Sequence, residues 1–183
     1  PDLEAKIAQG MEADMLVTSA GVSRGDYDIV KDVLMKKGEI AFWSVRMKPA
    51  KPLAFGGLTR RLPDGRERRI PHLGLPGNPV SALVAFEIFG RPALLKMQGR
   101  KNLAPLVIEA VLEDPIENTD GRRVYARCIV TRRQGRYHAR LTGPQGSGIL
   151  TSLTKANGRA ICPEDIDRLE AGLLAACPDS SVN

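Results

Sequence analysis

Aromatic residues are scarce in this 183-residue chain, at 4%. Single-stranded nucleic acids are gripped by stacking bases on aromatic side chains, so that class of partner is disfavoured. Cysteines number only three, Cys128, Cys162 and Cys177. They are scattered without metal-ligand spacing. A sparse, odd count fits a reducing, cytoplasmic setting. Histidines number two, His72 and His138. Neither belongs to a Ser-His-Asp set or a zinc pattern, and both read as structural. No apolar run approaches the roughly 18 residues that span a bilayer. No signal peptide is visible, so a membrane is not an expected partner. The first residue is Pro1, not Met, which reads as a fragment of a longer protein or a processed chain.

What is present is ordinary globular material, 43% hydrophobic and 26% charged, enough for one large domain or two small ones. The net charge of +6 suits a small polyanionic substrate as well as it suits nucleic acid. Arg60, Arg61, Arg66, Arg68 and Arg69 flank a Pro-Asp-Gly turn. That cluster reads as a solvated hairpin tip, with a phosphate contact as the alternative.

Residues 3–13 carry Leu3, Ile7 and Met11 at helical spacing. Residues 14–18 read as a buried strand. A second helix is expected from near Asp26, with Gly38 as its stop. Residues 39–47, 52–58 and 70–75 are strand-like, and a long helix runs from Pro79 to a break at Arg91-Pro92. Alternating helices and apolar strands predict an α/β layer with a mostly parallel sheet. Beyond Gly99 the texture changes. Residues 107–112, 125–131, 137–141 and 159–162 are strand-like and punctuated by glycine turns. Residues 150–153 read as a helical turn. The expected organisation is an α/β domain over 1–99 and a small all-β domain over 100–183.

Three loops carry candidate chemistry. Leu75-Pro76-Gly77-Asn78-Pro79-Val80-Ser81-Ala82 reads as a strand end, a tight turn and a helix start. Asn78 is a good N-cap and Pro79 fits the first helical position. Such an N-terminus offers free N–H groups to an anion, although the turn is equally readable as a rigid connection. A Gly-rich loop holds Gly21, Ser23 and Gly25 before Asp26 and Asp28. Asp26 reads as an N-cap or, with Asp28, as a carboxylate pair for Mg²⁺. The basic loop Lys48-Pro49-Ala50-Lys51-Pro52 holds two ammonium groups on a stiff backbone. Stiff placement reduces the entropy lost on binding a tetrahedral oxyanion. A solvated charged loop is the plain alternative. In α/β sheets ligands bind beyond the carboxyl ends of strands, and two of these loops follow a strand and precede a helix.

These residues resemble a known family. Residues 14–28, Ile40-Ala41-Phe42-Trp43, Met47-Lys48-Pro49-Ala50-Lys51-Pro52-Leu53 and residues 75–82 are similar to the C-terminal half of the molybdopterin molybdenumtransferases, the MoeA and gephyrin E-domain family. Gln145-Gly146-Ser147-Gly148 and Ala156-Asn157-Gly158 resemble that family's small C-terminal β domain. The resemblance implies a molybdopterin-binding-like α/β fold, truncated at its N-terminus, followed by the β domain. It implies molybdenum cofactor biosynthesis: Mg²⁺-assisted insertion of molybdenum from molybdate into adenylylated molybdopterin, with release of AMP. Asp28 would be the catalytic loop acid, with Lys48 and Lys51 binding the anions and Asp26 and Asp28 as metal ligands. Gly21, Ser23, Gly25, Pro76, Gly77, Asn78, Pro79 and Ser81 would line the substrate. A homodimer is implied for the full-length protein.

The chain also departs from the family pattern. Ala20 and Ala50 stand where glycine is usual, Arg24 where a small apolar residue is usual, and Ser44 where lysine is common. Alanine tolerates positive φ poorly, so a reshaped basic loop is expected, and Arg46 is the candidate to replace the missing lysine. The family's first strand of this domain and its N-terminal domains have no counterpart here. The chain alone is therefore expected to be inactive. The competing readings are a molybdopterin adenylyltransferase-type domain and a non-catalytic binding scaffold on the same fold.

Overall fold

The structure is a computed structural model and describes residues 2–22 and 29–178. The chain divides into two compact units. One takes Pro1–Val45 and Ala50–Phe86, the other Arg46–Pro49 and Glu87–Asn183. The strand-rich second half was expected to begin near Gly99. The second unit also takes in the helix over 91–97 and residues 46–49, which include Lys48 and Pro49 of the basic loop.

The first unit opens with helix α1 (Asp2–Gly10) and strand β1 (Leu16–Ser19). Helix α2 (Ile29–Lys37) leads into strand β2 (Gly38–Ser44). Strands β4 (Pro52–Arg61) and β5 (Glu67–Leu75) follow the short strand β3 (Met47–Lys48), and helix α3 (Pro79–Ala85) closes the unit. The sheet order is β1-β5-β4-β2. Only β1 and β5 are parallel; β5–β4 and β4–β2 are antiparallel. The α/β architecture holds, but the mostly parallel sheet does not. The reason is local. β4 and β5 are joined by a tight turn in which Leu62 N donates to Arg66 O at 2.8 Å and Gly65 sits at φ 82°. A connection this short joins only antiparallel strands.

Ile7, Met11, Val33 and Leu34 pack with Leu58 and Ile70 of the sheet. Leu34, Leu58 and Ile70 are at most 1% exposed. Each such side chain contributes roughly 1.5–3 kcal/mol through burial, so the helix periodicity read from Ile7 and Met11 reports the real core. The hairpin arginines largely serve ion pairs: Arg60 with Glu12, Arg66 with Asp64, Arg68 with Asp14 and Arg69 with Glu39.

In the second unit a π turn (Phe86–Gly90) directly precedes α4 (Arg91–Met97). The expected break at Arg91-Pro92 is therefore a widened turn. Proline has no N–H and crowds the carbonyl four residues back, and a π turn relieves that. Strands β6 (Val107–Leu112), β7 (Ile116–Glu117), β8 (Arg123–Arg133) and β9 (Arg136–Leu141) follow. Helix α5 (Thr151–Lys155) and strands β10 (Gly158–Cys162), β11 (Arg168–Leu169) and β12 (Leu174–Pro178) complete the unit. The main sheet runs β10-β8-β9-β6-β12, with β3 on β8 and a separate β7–β11 pair. β10 and β12 also pack together, which curls the sheet around its core.

That core is built from small residues, among them Ala110, Ala126, Cys128, Ala139, Ala160, Cys162 and Cys177. All three cysteines are free and buried and act as small apolar side chains. A hydrogen bond with Cys177, reinforced by burial, pushes the Cys128 thiol up, so it is not a nucleophile.

Candidate functional site

The loops after β1 and β5 lie side by side because those strands are parallel neighbours. Ser19 pairs with Leu75 at the strand ends. Ala20 N donates to Leu75 O at 3.0 Å, and Ser19 Oγ donates to Pro76 O at 3.3 Å. A Cβ placed on Gly77 would come within 3.2 Å of the Ala20 methyl. At Gly77 the two loops approach closely, and a larger residue would make the Ala20 loop give by a few tenths of an ångström. Ala54 pairs with Gly74, which in turn pairs with Thr18. The start of β4, with Lys51 just before it, therefore shares an end of the sheet with Gly21 and with the 76–79 turn.

The cap at Asn78 forms as read. Asn78 Oδ1 accepts from Ser81 N at 3.1 Å, Asn78 O accepts from Ala82 N at 2.8 Å, and Pro79 follows the cap. This bonding changes what the turn can do. Pro79 has no N–H, Ser81 and Ala82 are already bonded, and Val80 is fully buried. The helix start consequently has no exposed donor for an anion. Pro76 and Ser81 are buried, whereas Gly77, Asn78 and Pro79 reach the surface. The turn thus presents no free helix N–H group to an anion.

The basic loop is divided between the units. Val45 N donates to Lys51 O at 2.8 Å, closing the loop at the base of β2 and β4. Lys51 is exposed in the first unit. Lys48 belongs to the second, where Met47 and Lys48 pair with Arg123 and Val124 of β8. The Lys48-Pro49 peptide bond is cis, and Ala50 takes φ 76°. Ala20 takes φ 76° as well. Both alanines that replace the usual glycines thus keep the left-handed backbone, and the loop retains that turn. The Arg46 guanidinium donates to Gly121 O at 3.0 Å.

Within the second unit, Lys48 and Pro49 line a groove of about 470 Å³ with Tyr125, Arg127, Gln145 and Gly146. Lys48 Nζ lies 3.6 Å from Asp120, which also holds Arg122. The bond from Arg122 keeps the Asp120 carboxyl below its usual range, so Asp120 is an anion facing Lys48. Arg127 is 1% exposed. Its Nε donates to Ser152 Oγ at 2.6 Å, and a terminal nitrogen donates to Gly146 O at 3.2 Å. Gln145 is fixed in turn by Arg127, accepting from its N at 2.8 Å and donating to its O at 3.1 Å. Burial lowers the Arg127 pKa. Among the described residues it has no carboxylate partner, and its cross-strand neighbour is another cation, Arg159. A guanidinium stays charged in proteins, so this is a buried, uncompensated positive charge beside a groove.

Arg127, Gln145 and Ser152 do not figure among the residues the sequence alone points to. The alternation of β8 does place Arg127 opposite to the core residues Ala126 and Cys128, but alternation cannot show that residues 143–152 fold over it. Ser23, Gly25, Asp26 and Asp28 lie outside the described residues, as does Arg24. Gly21 is described and takes φ 80°. His72 and His138 are structural: His72 is buried on β5, and His138 Nδ1 lies 3.8 Å from Glu113. No group of three or more metal-ligating side chains occurs among the described residues.

Residues 1–96 match the family described as a probable molybdopterin binding domain. The chain belongs to that family. Its residues 109–175 match the MoeA C-terminal region, domain IV, in agreement with the strand-rich second unit. A molybdopterin molybdenumtransferase from Haemophilus influenzae is 35% identical over 179 residues, covering 94% of this chain and 42% of that protein. Gephyrin from Dictyostelium discoideum is 35% identical over 178 residues, covering 89% of this chain and 25% of that protein. A crystal structure of a molybdopterin biosynthesis MoeA protein from Pyrococcus horikosii superposes with a TM-score of 0.74 at 26% identity, covering 99% of this chain and 41% of that one. The chain thus spans about two fifths of the molybdenumtransferase it matches.

Proposed function

We propose that this chain is the oxyanion-handling part of a molybdenum insertion enzyme in molybdenum cofactor biosynthesis. The observation that carries this reading is Arg127, a buried guanidinium without a carboxylate, set beside the groove that Lys48 enters. Burying an unpaired charge costs on the order of several kcal/mol, and a bound tetrahedral dianion would offset that cost. Molybdate is such a dianion, and the family membership supports adenylylated molybdopterin as its co-substrate. The reaction transfers molybdenum from molybdate to the dithiolene sulfurs of molybdopterin and releases AMP.

In this reading Lys48 and Arg127 hold the molybdate oxygens, and Ser152 with the Gly146 carbonyl keeps the guanidinium oriented. On the first unit, Lys51, Gly21, Pro76, Gly77, Asn78, Pro79 and Ser81 are the proposed contacts to the organic substrate, with Lys51 supplying charge. Asp28 is the proposed catalytic acid, with Ser23, Gly25 and Asp26 in the same loop. Mg²⁺ belongs to this proposal only through Asp26 and Asp28, and no step is routed through it. A homodimer and a cytoplasmic location complete the proposal for the whole enzyme. Among the described residues no helix is long and apolar enough to cross a membrane.

Calorimetric titration of the chain with molybdate and with AMP tests the proposal. Lys48→Ala should weaken molybdate binding several-fold, and Lys51→Ala should weaken AMP or molybdate binding. Equal affinities for all three proteins would overturn the site.

A further inference from the structure

We propose that the second unit carries a separate site for an amphiphilic organic anion, an apolar or aromatic body with one terminal anionic group, in the cavity between α4 and the start of β6. The cavity measures about 780 Å³ and is lined by Arg91, Leu95, Arg100, Asn102, Leu106 and Val107, among others. It shares no lining residue with the groove beside Arg127.

Two features define the ligand. The first is the apolar wall. Leu106 and Val107 are 53% and 52% exposed, and Leu95 lines the same cavity. Side chains of this size bury most of their surface in a closed core, and covering them removes apolar area from water at about 25 cal/mol per Å². The second is uncompensated charge. Arg91 and Arg100 form no ion pair among the described residues. Arg91 lies near enough to the mostly buried Arg159 for the two cations to repel, and Glu87 lies 3.8 Å from the Arg159 guanidinium. The Nε of Arg159 is buried without an acceptor. Arg91 and Arg100 thus line the cavity without a carboxylate of their own, and an anion entering beside them meets a favourable potential.

The size of the cavity rules out a bare tetrahedral ion as the fitting occupant. Organic ligands fill sites of roughly 300–1,000 Å³, whereas an inorganic phosphate would leave the leucine and valine wall wet. The guanidinium groups argue equally against a neutral apolar ligand. Asn102 adds a polar group able to donate or accept at the same rim.

The test uses 1-naphthyl phosphate as the probe, with inorganic phosphate and 1-naphthalenemethanol as its two halves. Amide chemical shifts of the isotope-labelled chain report where each binds. Shifts at residues 91–107 are expected to saturate with 1-naphthyl phosphate at a concentration at least tenfold below that needed for either half. Arg91→Ala combined with Arg100→Ala should abolish that set of shifts. Arg100→Glu alone, at an exposed position that does not disturb folding, should weaken it at least fivefold. Lys48→Ala should leave it unchanged. Retention of the shifts in the double variant overturns the proposal, as does inorganic phosphate binding as tightly as the probe. Self-association of the chain that Leu106→Asp abolishes, with no probe shifts at 91–107, also overturns it and assigns the patch to a second copy.

Discussion

Arg127 Nε donates to Ser152 Oγ at 2.6 Å, and the same hydroxyl donates to Ile149 O at 2.6 Å. Helix α5 thus locks a buried cation of β8 in place. The serine hydroxyl has one proton, which the Ile149 carbonyl takes, so its lone pair is left for the guanidinium. Arg127 is held by donors and acceptors that are all neutral, and its charge remains available to the groove.

Ser152→Ala should therefore do two things. It leaves the buried Nε without an acceptor, at a cost of about 1–3 kcal/mol in stability. It also frees the guanidinium to rotate, so molybdate affinity should fall several-fold. Urea unfolding and calorimetry on one preparation measure both. A loss of stability with unchanged molybdate affinity would separate Arg127 from the site.

Asp120 stands 3.6 Å from Lys48 Nζ and occupies the cation that an incoming oxyanion needs. Both side chains are more than a third exposed or close to it, and such pairs contribute about 0–1 kcal/mol. Asp120→Asn should therefore tighten molybdate binding by up to about fivefold, and 0.5 M sodium chloride should shrink the gain. Weaker binding in Asp120→Asn would show that the carboxylate positions Lys48 and does not compete with the ligand.

The parts of this fold that were legible in sequence are those fixed by local chemistry. Asn78 before Pro79 can hardly be anything but a helix cap, and the cap is there. The alternation of helices and strands points to a parallel sheet, but the Pro63-Asp64-Gly65 turn alone requires an antiparallel β4–β5 pair. β12 carries little local strand signal because Leu174-Ala175-Ala176-Cys177-Pro178 lacks β-branched residues. It is a strand because β6 holds it. Arg127 lay hidden for a related reason. Its burial depends on a segment 20 or so residues further along, folding back over β8, and no local pattern announces that.

Ala20 and Ala50 both hold φ 76°, the left-handed region that costs an L-residue roughly 1–2 kcal/mol. Glycine removes that strain but adds unfolded-state entropy of about 0.5–1 kcal/mol. Ala20→Gly and Ala50→Gly should thus each be neutral or stabilising by up to about 1 kcal/mol in urea unfolding. Ala50→Val should be destabilising by more than about 2 kcal/mol, since a β-branched side chain at a buried left-handed position adds a clash to the strain. A stable Ala50→Val protein would mean the loop relaxes out of this conformation without cost.

His72 ties stability to pH. It is fully buried on β5, with Nε2 3.0 Å from Thr18 Oγ1 and Nδ1 without a partner. Burial lowers its pKa from the ordinary 6.5 to about 4. The native state therefore stays unprotonated between those values while the unfolded state takes up a proton. Stability is fully present above pH 6.5 and falls as the pH drops toward 4. The slope is about 1.4 kcal/mol per pH unit and the total loss is on the order of 3 kcal/mol. Urea unfolding at half-unit steps from pH 7 to pH 4.5 should show this slope in excess of that in a His72→Gln variant. The His72 ring carbons, followed by NMR, should show no titration near pH 6.5. A ring that titrates there in the folded chain would mean that the site opens to water, and the excess slope should then vanish with it.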